Sequence, residues 1–119
     1  MPHPSIRRGE LYWATVSRPG ATHVAHPHVV VQDDLFNQSR VHTVIVCALT
    51  SNLRRAHEPG NVLLDPGEGN LPRRSVVVVS QVSSVEKAHL GERIGQLEPG
   101  RVDQILQGLR FLQRSGYVR

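Results

Sequence analysis

Residues 43–50 read Thr43-Val44-Ile45-Val46-Cys47-Ala48-Leu49-Thr50, and this stretch decides the fold class. Val, Ile and Thr stiffen an extended backbone, and residues 43–49 predict a strand. A strand with one wet face alternates apolar and polar residues, whereas this one is apolar without a break, as in a sheet covered on both sides. His28-Val29-Val30-Val31 and Val76-Val77-Val78-Val79 repeat the pattern and predict strands over 28–31 and 76–79. Residues 10–16 form a first strand, bounded by Gly9 and by Arg18-Pro19-Gly20. Leu11, Trp13 and Thr15 share one face, and Tyr12, Ala14 and Val16 the other, so Tyr12 and Trp13 both read as core residues. Short strands over 62–64 and 93–97 complete the set. The connections over 21–25, 53–60 and 66–74 are rich in turn formers and too short for helical crossovers, so antiparallel pairing is expected. Residues 34–37 suit one helical turn. After Pro99-Gly100, Val102, Ile105, Leu106, Leu109 and Leu112 fall at helical spacing, with Asp103, Gln104, Gln107 and Arg110 on the other face and Gly116 as a stop. The expected fold is mainly β, a small antiparallel barrel closed by a C-terminal amphipathic α-helix.

The chain's 119 residues suit one domain spanning 1–119. Hydrophobic residues make up 39% and charged residues 20%, a balance typical of folded rather than disordered chains. Fourteen Lys and Arg against ten Asp and Glu leave +4, which permits a nucleic-acid partner without demanding one. No apolar run approaches the roughly 20 residues that span a membrane, and Met1-Pro2-His3-Pro4 leads to Arg7-Arg8 with no apolar signal core. The single cysteine, Cys47, excludes an internal disulfide and makes the reducing cytoplasm the expected compartment; in its apolar run it reads as a small core residue.

Several motifs in order and at matching spacing resemble one family. Arg8-Gly9-Glu10-Leu11-Tyr12-Trp13 resembles the opening strand of MazF/PemK-type toxins. His26-Pro27-His28-Val29-Val30-Val31-Gln32-Asp33-Asp34, with Asn37, is similar to the family's Arg-Pro segment and its polar follow-on. Residues 43–51 look like the strand ending in Leu-Thr-Ser. Gln81, Val82, Ser84, Val85, Lys87 and Leu90 match the downstream Gln-to-Leu motif, and Ile94-Gly95-Gln96-Leu97 the Ile-Gly-x-Leu before the terminal helix. The resemblance covers about residues 7–113. It implies an SH3-like antiparallel β-barrel of the MazF/CcdB kind, a homodimer and a cognate antitoxin partner. The implied activity is sequence-selective, metal-independent cleavage of single-stranded RNA (mRNA), without a cofactor and away from any membrane.

Metal-free RNA cleavage uses the RNA's own 2′-hydroxyl as nucleophile, and needs a proton carrier and donors for the charged phosphorane. The resemblance assigns this work to an arginine before the proline of the second strand and a threonine ending the third. The threonine is Thr50. The arginine is replaced by His26, which titrates near neutral pH and can move protons but lacks the permanent charge and fork of a guanidinium. His26 and Thr50 are therefore the catalytic candidates. Arg18, in the loop before His26, could fold back to supply the missing charge. Arg54 and Arg55 follow Thr50-Ser51-Asn52 as phosphate-binding candidates, with Arg73 in another loop. His28, Ser51, Gln81, Ser83 and Ser84 complete the RNA-binding candidates, because single-stranded RNA exposes base edges to polar side chains. His23, His26 and His28 invite a metal reading, but their spacing matches no zinc motif and no Cys, Asp or Glu stands nearby as a further ligand. The loss of the arginine supports an alternative function: a catalytically weak or inactive toxin-like module that binds RNA, antitoxin or another macromolecule, as the gyrase-directed CcdB branch does.

Overall fold

The computed structural model describes residues 5–17 and 23–115. Six strands form one antiparallel sheet: β1 (Glu10–Ala14), β2 (His26–Val30), β3 (Thr43–Thr50), β4 (Val62–Leu64), β5 (Ser75–Glu86) and β6 (Arg93–Gln96). Their spatial order is β4-β5-β3-β2-β1-β6. The helical turn α1 (Asp34–Asn37) follows β2, and the long helix α2 (Pro99–Ser115) ends the described chain. The apolar runs are strands covered on both faces, as their composition dictates. Leu11, Val29, Cys47, Leu49 and Val77 pack on one side with Leu97 and Ile105, against which α2 also lays Val102 and Leu109. Ile6, Tyr12, Ala14, Val30, Val44 and Val46 pack on the other with Val85 and Leu90.

β5 runs through residue 86, not 79 as the apolar run alone indicates. Its second half is polar at alternate positions because it pairs with the start of β3, from Cys47↔Val82 to Thr43↔Glu86. The register slips between Cys47 and Leu49, where Leu49 pairs with Val77. Such a bulge bends the sheet and leaves backbone groups without ladder partners. Asn61 answers one of them: its Oδ1 accepts the Val79 N–H at 3.0 Å while its Nδ2 donates to the Arg55 carbonyl at 2.9 Å. β2 begins at His26, two residues before the apolar run, and β1 stops at Ala14.

Two glycine pairs close the structure. Gly69, at φ +58°, lies against Gly95 of β6, where an added Cβ on either would overlap its neighbours, so the loop after β4 seals the β6 edge. Gly108 of α2 faces the Gly60 carbonyl in the same way, seating the helix beside β4. Arg101 reinforces that seating through a two-pronged bond to Glu68, Nε to Oε1 at 2.9 Å and Nη2 to Oε2 at 2.8 Å. The guanidinium lowers the Glu68 carboxyl below its usual range.

Motif residues at the other end are scaffolding. The buried Glu10 carboxylate accepts the Arg7 N–H at 2.7 Å, the Tyr12 hydroxyl at 3.0 Å and Arg93 Nε at 2.8 Å. Burial, with the bond to Glu10 second, pushes the Tyr12 phenol up to about 12. Arg8 donates its N–H to Asp34 Oδ1 at 2.7 Å and its Nε to the Val31 carbonyl at 3.0 Å. Lys87 closes α1 by donating to the Asn37 and Ser39 carbonyls at 2.9 and 3.2 Å. Cys47 is fully buried, and burial pushes its thiol up to about 12, which makes it the core residue its sequence context indicates.

Candidate active site

β1, β2, β3 and the approach to β5 meet around a cavity of about 240 Å³. Its polar lining is His26, Thr50, Ser51, Arg73 and Ser75. Its apolar lining is Trp13, Pro27, Leu49, Leu71, Pro72 and Ile94. Four of the candidate residues therefore come together from three separate stretches of sequence.

Strand register explains the meeting of the two catalytic candidates. β2 and β3 pair Val30↔Val46, Val29↔Cys47 and His28↔Ala48. Carrying that register two residues further brings His26 opposite Thr50. The chain then turns out of β3 through local bonds. The Thr50 hydroxyl oxygen accepts the Asn52 N–H at 3.1 Å, and Asn52 Oδ1 accepts the Arg54 N–H at 3.2 Å, starting the 3₁₀ turn Leu53–His57. The bond to Asn52 uses a lone pair of the Thr50 oxygen and leaves its O–H to donate. His26 is exposed, so its imidazole is open to solvent and to a bound ligand. Arg73 is exposed beside Pro72 and supplies the cavity's permanent positive charge, the feature that a histidine at position 26 lacks.

The other candidates lie elsewhere. His28 is 2% exposed, and its Nδ1 lies 2.8 Å from the His26 carbonyl. A carbonyl only accepts, so Nδ1 carries the proton, and His28 holds the backbone of His26 rather than meeting a ligand. Arg54 is exposed on the 3₁₀ turn after Thr50 and outside the cavity lining. Arg55 on the same turn is bound to Glu58, Nε to Oε2 at 2.7 Å. Ser83 and Ser84 pair with Val46 and Ile45, towards the far end of β3 from Thr50, about 15 Å away at strand rise. Gln81 is half-buried in the bulged part of β5, outside the cavity lining. Arg18 lies outside the described residues. His23 is exposed, and among the described residues no group of three or more His, Cys, Asp or Glu side chains comes together as metal ligands.

Trp13 corrects the sequence reading. Tyr12 is a core residue at 3% exposure, but Trp13 is 41% exposed and lines the cavity. Both faces of β1 pack a core, Leu11 on the face of Trp13 and Tyr12 on the other, so alternation alone could not show that the face of Trp13 opens onto the cavity. Thr15, sharing the face of Trp13, was the one available signal.

The fold and this cavity define a small barrel with a nuclease-like set of polar side chains at one end of its sheet. The model of the PemK-like, MazF-like toxins of type II toxin–antitoxin systems matches residues 7–112. Endoribonuclease MazF6 of Mycobacterium tuberculosis (strain ATCC 25618 / H37Rv) is 38% identical over 107 residues, covering 88% of this chain and 94% of its own. Endoribonuclease EndoA of Bacillus subtilis (strain 168) is 27% identical over 108 residues, covering 89% and 92%. In architecture, MazF from Deinococcus radiodurans superposes with a TM-score of 0.75 at 19% identity, covering 94% of this chain and 99% of that one. The Mycobacterium tuberculosis toxin MazF-mt6 superposes at 0.74 with 17% identity, covering 88% and 96%. The chain belongs to the PemK/MazF toxin family. Among the described residues, no helix is long and apolar enough to cross a membrane.

Proposed function

We propose that this protein is an endoribonuclease toxin that cuts single-stranded RNA at selected sequences without a metal ion, using the cavity around His26 and Thr50. The observation that carries the reading is the convergence of His26, Thr50, Ser51 and Arg73 on one cavity. The RNA 2′-hydroxyl attacks the adjacent phosphorus, the P–O5′ bond breaks, and the products are a 2′,3′-cyclic phosphate and a 5′-hydroxyl. His26 takes the proton from the 2′-hydroxyl and returns it to the departing 5′-oxygen, so no net proton is consumed. The Thr50 hydroxyl and the Arg73 guanidinium donate to the non-bridging oxygens as charge builds on them. Ser51 and the exposed Arg54 extend the polar path for the flanking RNA, while Arg55 contributes less because Glu58 already engages it.

The enzyme works as a homodimer in the cytoplasm, where mRNA is its substrate. Leu63 on the edge strand β4 and Phe111 on α2 leave apolar surface at 40% and 44% exposure, which a second copy would cover. An antitoxin with an acidic segment blocks the RNA path by competing for Arg73 and Arg54. Sedimentation as a monomer at micromolar concentration would count against the dimer. Tight antitoxin binding that leaves cleavage untouched would count against a shared path. The activity itself is tested by incubating purified protein with a long RNA in EDTA and mapping the new ends. Cleavage with 5′-hydroxyl ends is expected; intact RNA, or 5′-phosphate ends, would overturn the reading in favour of a non-cleaving binding module or another chemistry.

A further inference from the structure

We propose that Trp13 is the stacking platform for one nucleobase next to the bond that is cut. This inference rests on the RNA-cleavage reading of the same cavity. An indole left 41% exposed on a strand of a two-sided core is unusual, because tryptophan is on average highly buried. Among the described residues, Trp13 is also the one Trp, Tyr or Phe side chain lining the cavity that holds His26, Thr50 and Arg73. Unpaired RNA bases expose π-faces to aromatic side chains, and the neighbouring cation suits the attached phosphate. At about 240 Å³ the cavity falls below the roughly 300 Å³ lower bound of drug-sized pockets, which suits a single planar group.

Trp13 is held ready for that role. Its N–H donates to the Glu92 carbonyl at 3.1 Å and its own carbonyl accepts the Gly91 N–H at 2.7 Å, so both backbone groups point towards the segment entering β6. Its partner across the other side is Pro27, which has no N–H to give. Trp13↔Pro27 is therefore a non-hydrogen-bonded pair, the kind in which cross-strand side chains come closest. Gly91 sits so near that an added Cβ there would meet the Trp13 carbonyl oxygen at 2.7 Å and its Cβ at 3.1 Å. Two bonds on the β6 edge fix the tryptophan backbone, so little backbone ordering remains when a base stacks on the indole.

Trp13 is the chain's single tryptophan, so its fluorescence reports on this site alone. The probes are 2′-O-methylated heptamers of A, C and U and a random-sequence pool, none of which can be cut by 2′-hydroxyl attack. Saturable quenching by at least one probe is expected. Labelled-probe anisotropy should show Trp13→Leu binding about 5- to 150-fold more weakly and Trp13→Phe, which keeps a π-face, retaining most of the affinity. In cleavage, Trp13→Leu should raise KM with little change in kcat, the signature of lost substrate binding rather than lost chemistry. RNA cleavage by the wild type with no fluorescence change, or Trp13→Leu binding as tightly as the wild type, overturns the platform and leaves the nuclease reading intact. Quenching without cleavage overturns the nuclease reading and, with it, the placement of the platform beside a cut bond, leaving Trp13 as a base-binding residue of a non-cleaving module; neither signal overturns both. If Trp13→Leu does not fold, wild-type quenching and the affinity of Trp13→Phe decide the matter.

Discussion

Replacing Thr50 by Val removes one hydroxyl and keeps a β-branched side chain of similar shape at the end of β3. In the folded protein that hydroxyl accepts a single exposed backbone N–H, that of Asn52 at 3.1 Å. Water can replace the lost acceptor, and valine keeps the strand preference, so the stability loss should stay within about 1 kcal/mol. That corresponds to a fall in Tm of no more than about 5 °C for a domain of this size. The catalytic loss should be far larger. A donor aimed at developing phosphorane charge contributes about 100-fold or more to kcat, equivalent to about 2.7 kcal/mol or more. The two numbers separate function from folding: Thr50→Val should melt close to the wild type and cleave at least 100-fold more slowly under single-turnover conditions. Cleavage within a few-fold of the wild-type rate would refute the placement of Thr50 in the reaction. An equal loss of fold and rate would refute the claim that its hydroxyl is spare for substrate.

Three further outcomes follow from the same geometry. His26→Ala should lower the cleavage rate by about 100-fold or more, and His26→Arg should flatten the pH–rate profile because a guanidinium keeps its charge where an imidazole changes it; wild-type rates in His26→Ala across the pH range would make the histidine a bystander. Gly108→Ala pits helix propensity, worth about 1 kcal/mol in favour of Ala, against overlap with the Gly60 backbone, where overpacking costs about 1–3 kcal/mol or more; chemical denaturation should show net destabilisation, and a more stable variant would mean α2 is free to shift. Glu68 is more acidic folded than unfolded because of Arg101, so its stabilising effect is present above the unfolded carboxyl value of about 4.3 and is lost as pH falls through the lower folded value; Glu68→Gln should be less stable than the wild type at pH 7 by about 1 kcal/mol, and a gap that does not close in acid would refute the pairing.

The fold was legible because its strands are written in unbroken β-branched runs and its helix in a clean apolar spacing. Antiparallel pairing followed from connections too short to cross over. The second half of β5 was not legible, because Ser80 and Gln81 fall in the bulge and Ser83 and Ser84 break the apolar pattern while still pairing along β3. Asn61 satisfies an amide of that bulge from eighteen residues before it, and no local pattern announces the bond. Several motif residues that carry the family likeness are braces: Arg8, Glu10, Asn37 and Lys87 are all tied to backbone groups. Of the residues lining the candidate cavity, His26, Thr50 and Ser51 were legible through their places in the motifs and Arg73 through the charge of its loop. His28 was misread because its alternation with His26 said nothing about which face is buried. Trp13 was misread for the complementary reason, since an aromatic on a two-sided strand looks like core until the neighbouring strand ends are in place.

The measurement closest to the central claim uses an RNA oligonucleotide with one cut site and the same oligonucleotide carrying a single 2′-deoxy substitution at the nucleotide 5′ to that bond. If the RNA supplies its own nucleophile, the all-ribose strand is cut to a 2′,3′-cyclic phosphate and the substituted strand stays intact at equal binding affinity. Cleavage of the 2′-deoxy strand at the same bond would contradict the account, because water rather than the 2′-hydroxyl would then be the attacking group.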